Sequence, residues 1–145
     1  ARGDPGIHPS AQIAFEEDGQ ALSLDPFRDP RFSSGVELFN GGEWYAAHDV
    51  FEELWHDTAE PERRWLQGAV QVAVAMVHLG RDNLNGAAIL LGEGTGRLMR
   101  SQASPPGWQA AALLEPCRQL QQQLQGPEPL ASDHPCPRLV FDLSE

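Results

Sequence analysis

Trp65-Leu66-Gln67-Gly68-Ala69-Val70-Gln71-Val72-Ala73-Val74-Ala75-Met76-Val77-His78-Leu79 is apolar on almost every side when wound as a helix at about 100° per residue. A helix of that kind belongs at the centre of a bundle or in an interface between subunits. Pro61 suits its first position, and the pattern runs out near Arg81. Outward from it, Glu43 to Asp57 reads as the preceding helix. Before that, Ser34-Gly35-Val36-Glu37 fits a capping box that opens a short helix ending at Asn40-Gly41-Gly42. On the other side, Asp82 or Asn83 can cap a fourth helix reaching about Arg100, with Leu84, Ala87, Ala88, Leu91 and Leu98 at helical spacing. Gly92, Gly94 and Gly96 weaken that helix by about 1 kcal/mol each relative to Ala. They read as close helix packing or a locally frayed helix, since no strand precedes them and no Lys follows to make a phosphate loop. Pro105-Pro106 breaks the chain, and a last helix covers about Trp108 to Gln125, kinked or restarted at Pro116.

Short connections between helices of this length favour antiparallel neighbours, so the expected fold is all-α, a small antiparallel helical bundle over residues 33–125. Extended arms flank it: an N-terminal arm at 1–32, in which Gln12 to Phe15 and Ala21 to Leu24 suit short strands, and a Pro-rich tail at 126–145. Within the tail, Arg138 to Leu143 alternates apolar and polar residues, as a strand or a segment laid on the core would.

The 145 residues make one domain. Ten Arg and no Lys stand against 21 acidic residues, giving a net charge of −11. So acidic a surface repels phosphate backbones and anionic lipid, which argues against nucleic-acid and membrane partners. Without Lys there is neither a Walker-type phosphate lysine nor a Schiff-base lysine. The longest apolar run, Ala69 to Leu79, is interrupted by Gln71 and His78 and is too short to span a bilayer. The first residues carry no apolar signal core, and the two cysteines form neither a metal framework nor a disulfide scaffold, so a cytoplasmic location is expected. Cys117 sits at core spacing, His134 and Cys136 lie in a Pro-rich loop, and Ser33 and Ser34 lack the surroundings of a nucleophile.

The polar residues give the functional expectation. On the second helix Trp44, Ala47, Phe51, Leu54 and Trp55 share one arc, with His48 inside it and Glu52 following at i+4 on its edge. Asp49, Glu53 and His56 point away toward water. On the third helix Gln67, Gln71 and His78 form one narrow stripe. Buried polar groups need partners, so His48 and Glu52 are expected to meet this stripe in a polar pocket walled by Trp44 and Trp55 and closed by Asn83. Three readings fit. A divalent metal ion can take His48, Glu52 and His78 as ligands. Alternatively, Glu52 orients His48 for proton transfer, or the pocket holds a small ligand without a metal. In the third reading there is no site: the Gln/His stripe faces water with His48 a core histidine bonded to Glu52, or the chain is a structural or interaction module, its polar cluster fixing helix register and its apolar third helix serving as a homodimer interface. The residues disclose no definite reaction.

Phe39-Asn40-Gly41-Gly42-Glu43-Trp44-Tyr45-Ala46-Ala47-His48-Asp49-Val50-Phe51-Glu52-Glu53-Leu54-Trp55 resembles the signature of the domain of unknown function 309 family. Leu66-Gln67-Gly68-Ala69-Val70-Gln71-Val72-Ala73, followed by His78, Asn83, Gly86 and Ala87, resembles its second block. The likeness covers about residues 33 to 100. It implies an all-helical bundle and no particular activity. It places the family's polar positions on His48, Glu52, Trp55, Gln71, His78 and Asn83. Ala46 stands where the family usually has an acid, Asp49 where it has Glu, and Asp82 where a Gly often precedes the Asn. The first departure removes a carboxylate from the second helix.

Overall fold

A computed structural model describes residues 25–142 of the chain. The described residues form a 3-10 turn, Pro26–Arg28, and five α-helices: α1 (Pro30–Asn40), α2 (Trp44–His56), α3 (Glu62–Gly80), α4 (Leu84–Arg100) and α5 (Ala111–Gln125). They contain no strand, only an isolated antiparallel bridge between Trp108 and Phe141. The fold is all-α, and α3 is its centre, packed between α2 and α4 with Trp65, Leu66, Ala69, Val72, Ala73, Ala75 and Met76 buried. The two short strands expected near residues 12–15 and 21–24 lie outside the described residues.

The first helix begins earlier than the capping box suggested. Asp29 caps α1, its carboxylate accepting the Arg31 amide at 2.8 Å, and Pro30 holds the first position. Ser34 and Glu37 are therefore interior, and residues 30–32, placed in the arm by the sequence, belong to α1. The Asp29 cap is braced from outside: Arg31 reaches Asp29 at 3.0 Å and Asp57, at the end of α2, at 2.9 Å. Gly35 is an interior helical glycine because the Phe51 ring presses on it. A Cβ there would fall 2.4 Å from Phe51 Cε1.

Pro116 was expected to kink or restart the last helix, yet α5 runs through it. A proline cannot donate to the carbonyl four residues back, here that of Ala112. That carbonyl accepts instead from the Arg138 amide at 3.2 Å, so the C-terminal tail fills the place the proline leaves. The tail lies on the core as an extended segment, with Pro137 and Leu139 buried and Phe141 against Phe32 at 5.9 Å. Its backbone is held by Asn40, whose Nδ2 donates to the Leu139 carbonyl at 2.9 Å while its Oδ1 accepts the Leu139 amide at 2.8 Å. The Asn40 amide serves Leu139 on one side, and the segment before α5 serves the next residues, with Gln109 donating to the Val140 carbonyl at 2.9 Å and Asp142 to the Gly107 carbonyl at 2.8 Å.

Asn40→Ala leaves both Leu139 groups without partners. Its expected cost is about 1–2 kcal/mol, together with faster amide exchange at Leu139 and Asp142 in hydrogen-exchange NMR. Unchanged protection of those two amides would show that packing alone holds the tail.

Candidate functional site

The amphipathic pattern of α2 buries Ala47, Phe51 and Leu54 and brings the adjoining turn to the protein's edge. His48 occupies the border between the two faces, its side chain 19% exposed, while Asp49 and Glu52 stand further out at 58% and 46%. The carboxylates take opposite sides of the imidazole. Asp49 Oδ1 is 3.3 Å from Nδ1, and Glu52 Oε1 is 3.4 Å from Nε2. Nδ1 is shielded from solvent and makes no hydrogen bond among the described residues. One ligand atom from each of the three side chains lies within 4.8 Å of the others. The Tyr45 ring, one turn earlier and 58% exposed, packs beside the imidazole with centroids 5.4 Å apart.

Helix geometry makes the His48–Glu52 part of this cluster legible in the sequence, since residues four apart are neighbours. Asp49 was expected to point to water and is the residue that reading missed. At i+1 its Cα lies about 100° around the helix. A short side chain can still curl back to the ring nitrogen nearest the backbone, which is Nδ1. An acid directly after a half-buried His is the signal that would have found it.

The other expected site residues go elsewhere. Gln71 faces α4, where its Nε2 donates to Glu93 Oε1 at 3.1 Å and its Oε1 accepts from Arg97 Nε at 2.9 Å. His78 lies at the end of α3, where its Nδ1 pairs with Asn83 Nδ2 at 3.0 Å. Asn83 caps α4 in turn, its Oδ1 accepting the Gly86 amide at 3.1 Å. Asp82, just before it, has φ 65°, a left-handed position that residues other than Gly, Asn and Asp seldom take. Gln67 is partly buried and makes no side-chain hydrogen bond among the described residues. Trp55 carries the Arg63 guanidinium 3.9 Å over its ring, and Trp44 packs edge-on against Phe39 at 4.9 Å.

Among the described residues the side chains able to share an ion are His48, Asp49 and Glu52, and the expected trio of His48, Glu52 and His78 is not such a group. The stripe on α3 turns toward α4 because Gly68 and Gly94 form the contact between those helices, and Gln71 sits beside them, its Cβ 3.1 Å from where a Gly94 Cβ would be. Cys117 is buried, which pushes its thiol up to about 12 and leaves it protonated at neutral pH.

These features define a small all-helical protein with an imidazole and two carboxylates clustered on one turn of an outer helix. Residues 32–90 match the family profile described as Domain of unknown function (DUF309), the family whose signature these residues resemble. The match holds most of α1, all of α2 and α3 and the first part of α4, including every expected pocket residue. Comparison with curated proteins found no match, and neither did comparison with solved structures. No helix among the described residues is long and apolar enough to cross a membrane.

Proposed function

We propose that this protein is a cytoplasmic metal-binding protein that holds a divalent transition-metal ion on α2. Nε2 of His48 and the Glu52 carboxylate are the direct ligands, and Asp49 orients the imidazole through Nδ1. The observation that carries this reading is the grouping of three ligand atoms within 4.8 Å on one helical turn. Nδ1 is shielded and without a hydrogen bond, and Asp49 Oδ1 at 3.3 Å is the acceptor that a small turn of either side chain would give it, leaving the Nε2 lone pair free. Such an outer carboxylate commonly fixes a metal-bound histidine. One imidazole and one carboxylate leave most of the ion's coordination positions for water or an anionic ligand, and the nitrogen ligand favours zinc, nickel or copper over magnesium or calcium. Two free cysteines, Cys117 and Cys136, fit a reducing compartment.

The rest of the polar set supports a structural role. Gln71 ties α3 to α4 through both ends of its amide, and the His78–Asn83 pair fastens the turn between them. Those residues fix helix register, and the metal reading does not draw on them.

Calorimetric titration of chelator-free protein with Zn²⁺ is expected to show one saturable site. His48→Ala or Glu52→Gln should weaken it about tenfold or more, and Asp49→Asn by less, as outer-shell changes do. Affinity should fall with pH, because protons compete for the same ligand atoms. Equal affinity of wild type and His48→Ala, with both proteins folded by circular dichroism, would overturn the proposal.

A further inference from the structure

The antiparallel pairing of α3 and α4 brings the first turn of one beside the last turn of the other. The contacts Gly68–Leu98 and Gln71–Arg97 fix that register. Arg63, Arg64, Arg97 and Arg100 therefore gather at one end of the hairpin. Two of them are committed inside the protein. Arg63 lies over the Trp55 ring at 3.9 Å, and Arg97 donates to Gln71 at 2.9 Å. The guanidinium groups of Arg64 and Arg100 make no hydrogen bond or ion pair among the described residues, although the chain carries 21 acidic side chains. Both line a cleft of about 360 Å³, together with Glu60, Pro61 and Gln102.

Arg100 is seated by a glycine. A Cβ on Gly96 would fall 2.9 Å from Arg100 Nη1 and 3.5 Å from Nη2, so the bare backbone at Gly96 lets the guanidinium fold back along its own helix. This gives Gly96 a role apart from that of Gly94, whose neighbours are on α3.

We propose that this cleft is a second binding site, independent of the α2 cluster, for a small molecule bearing an oxyanion, either phosphate or carboxylate. Arg64 and Arg100 hold the anionic group, since guanidinium presents planar paired donors to such oxygens. The Gln102 amide is a further donor. Glu60 accepts from a hydroxyl or ammonium group on the same ligand, which disfavours a bare polyanion. The net charge of −11 works against anion binding over the rest of the surface, so saturable binding reports on this place.

The test is calorimetric titration at low ionic strength with inorganic phosphate and, separately, with citrate. At least one probe is expected to bind at a single saturable site. Arg64→Gln and Arg100→Gln should each weaken that binding about tenfold or more, as losing a charge-assisted hydrogen bond does. Gly96→Ala should weaken it several-fold without lowering the melting temperature, since Ala favours the helix. Tighter phosphate binding assigns the site to phosphorylated ligands, and tighter citrate binding to carboxylates. Absence of saturable binding by either probe, or binding unchanged in the Arg64→Gln/Arg100→Gln double variant, would overturn the proposal. His48→Ala should leave the titration unaltered, which separates this site from the metal reading.

Discussion

Trp65→Ala should destabilise the protein by about 3–5 kcal/mol, the range for truncating a buried Trp or Phe. Trp65 is fully buried on the central helix, and its ring joins segments that are far apart in the chain. Phe27 from the 3-10 turn packs at 5.7 Å, Phe32 from α1 at 5.9 Å, and Trp108 from the segment before α5 at 5.2 Å. Removing the indole leaves a cavity bounded by all three, and neighbouring rings cannot collapse into it without detaching from one another. The melting temperature should drop by about 10–20 °C for a chain of this size. Trp65→Phe is the informative contrast. The indole N–H has no hydrogen-bond acceptor among the described residues, so Phe discards an unsatisfied donor along with part of the ring, and its loss should be less than half that of Ala. Equal losses for the two variants would show that the indole's second ring, and not the filled site as a whole, holds the cluster together.

The second large effect has a sign opposite to helix propensity. Gly68→Ala in the middle of α3 would gain about 1 kcal/mol in an isolated helix. In this protein the added Cβ would lie 2.7 Å from Leu98 Cγ and 2.9 Å from the Gly94 carbonyl oxygen. The oxygen belongs to the backbone of α4 and can move only if that helix moves. We expect a net loss of about 2 kcal/mol, since overpacking of this kind typically costs about 1–3 kcal/mol and can cost more. The same displacement pulls Gln71 away from Glu93 and Arg97, so exchange of the Gln71 side-chain amide protons should quicken in the variant. A melting temperature at or above that of wild type would mean that α3 and α4 can separate at no cost.

How much of this was legible beforehand differs from residue to residue. The apolar run from Trp65 to Leu79 announced the central helix, because a helix without a polar face has nowhere else to go. Gly92-Glu93-Gly94-Thr95-Gly96 reads as close helix packing or a frayed helix, and the first holds: α4 is continuous there and Gly94 faces Gly68. The alternating tail reads as a strand or a packed segment, and it packs, its backbone shared between the Asn40 side chain and the backbone of residues 107–112. The start of α1 was missed because two capping signals lay close together. Asp29-Pro30 prevailed, and its cap is tied through Arg31 to Asp57 at the far end of α2, a contact that no local rule reveals. Pro116 was overestimated as a helix breaker because the Arg138 amide that serves the freed carbonyl lies 22 residues further along the chain.

Local rules alone determined that this chain is helical, that α3 lies at its heart, and that His48 and Glu52 are neighbours, because each depends on the period of one helix. Which helix the Gln71 and His78 stripe would face, whether Asp49 would turn back to the imidazole, and which arginines would remain unpaired were decided only by the tertiary structure. A helix flanked on two sides offers the same polar stripe two possible hosts, and the choice falls to the closest backbone approach, here Gly68 against Gly94.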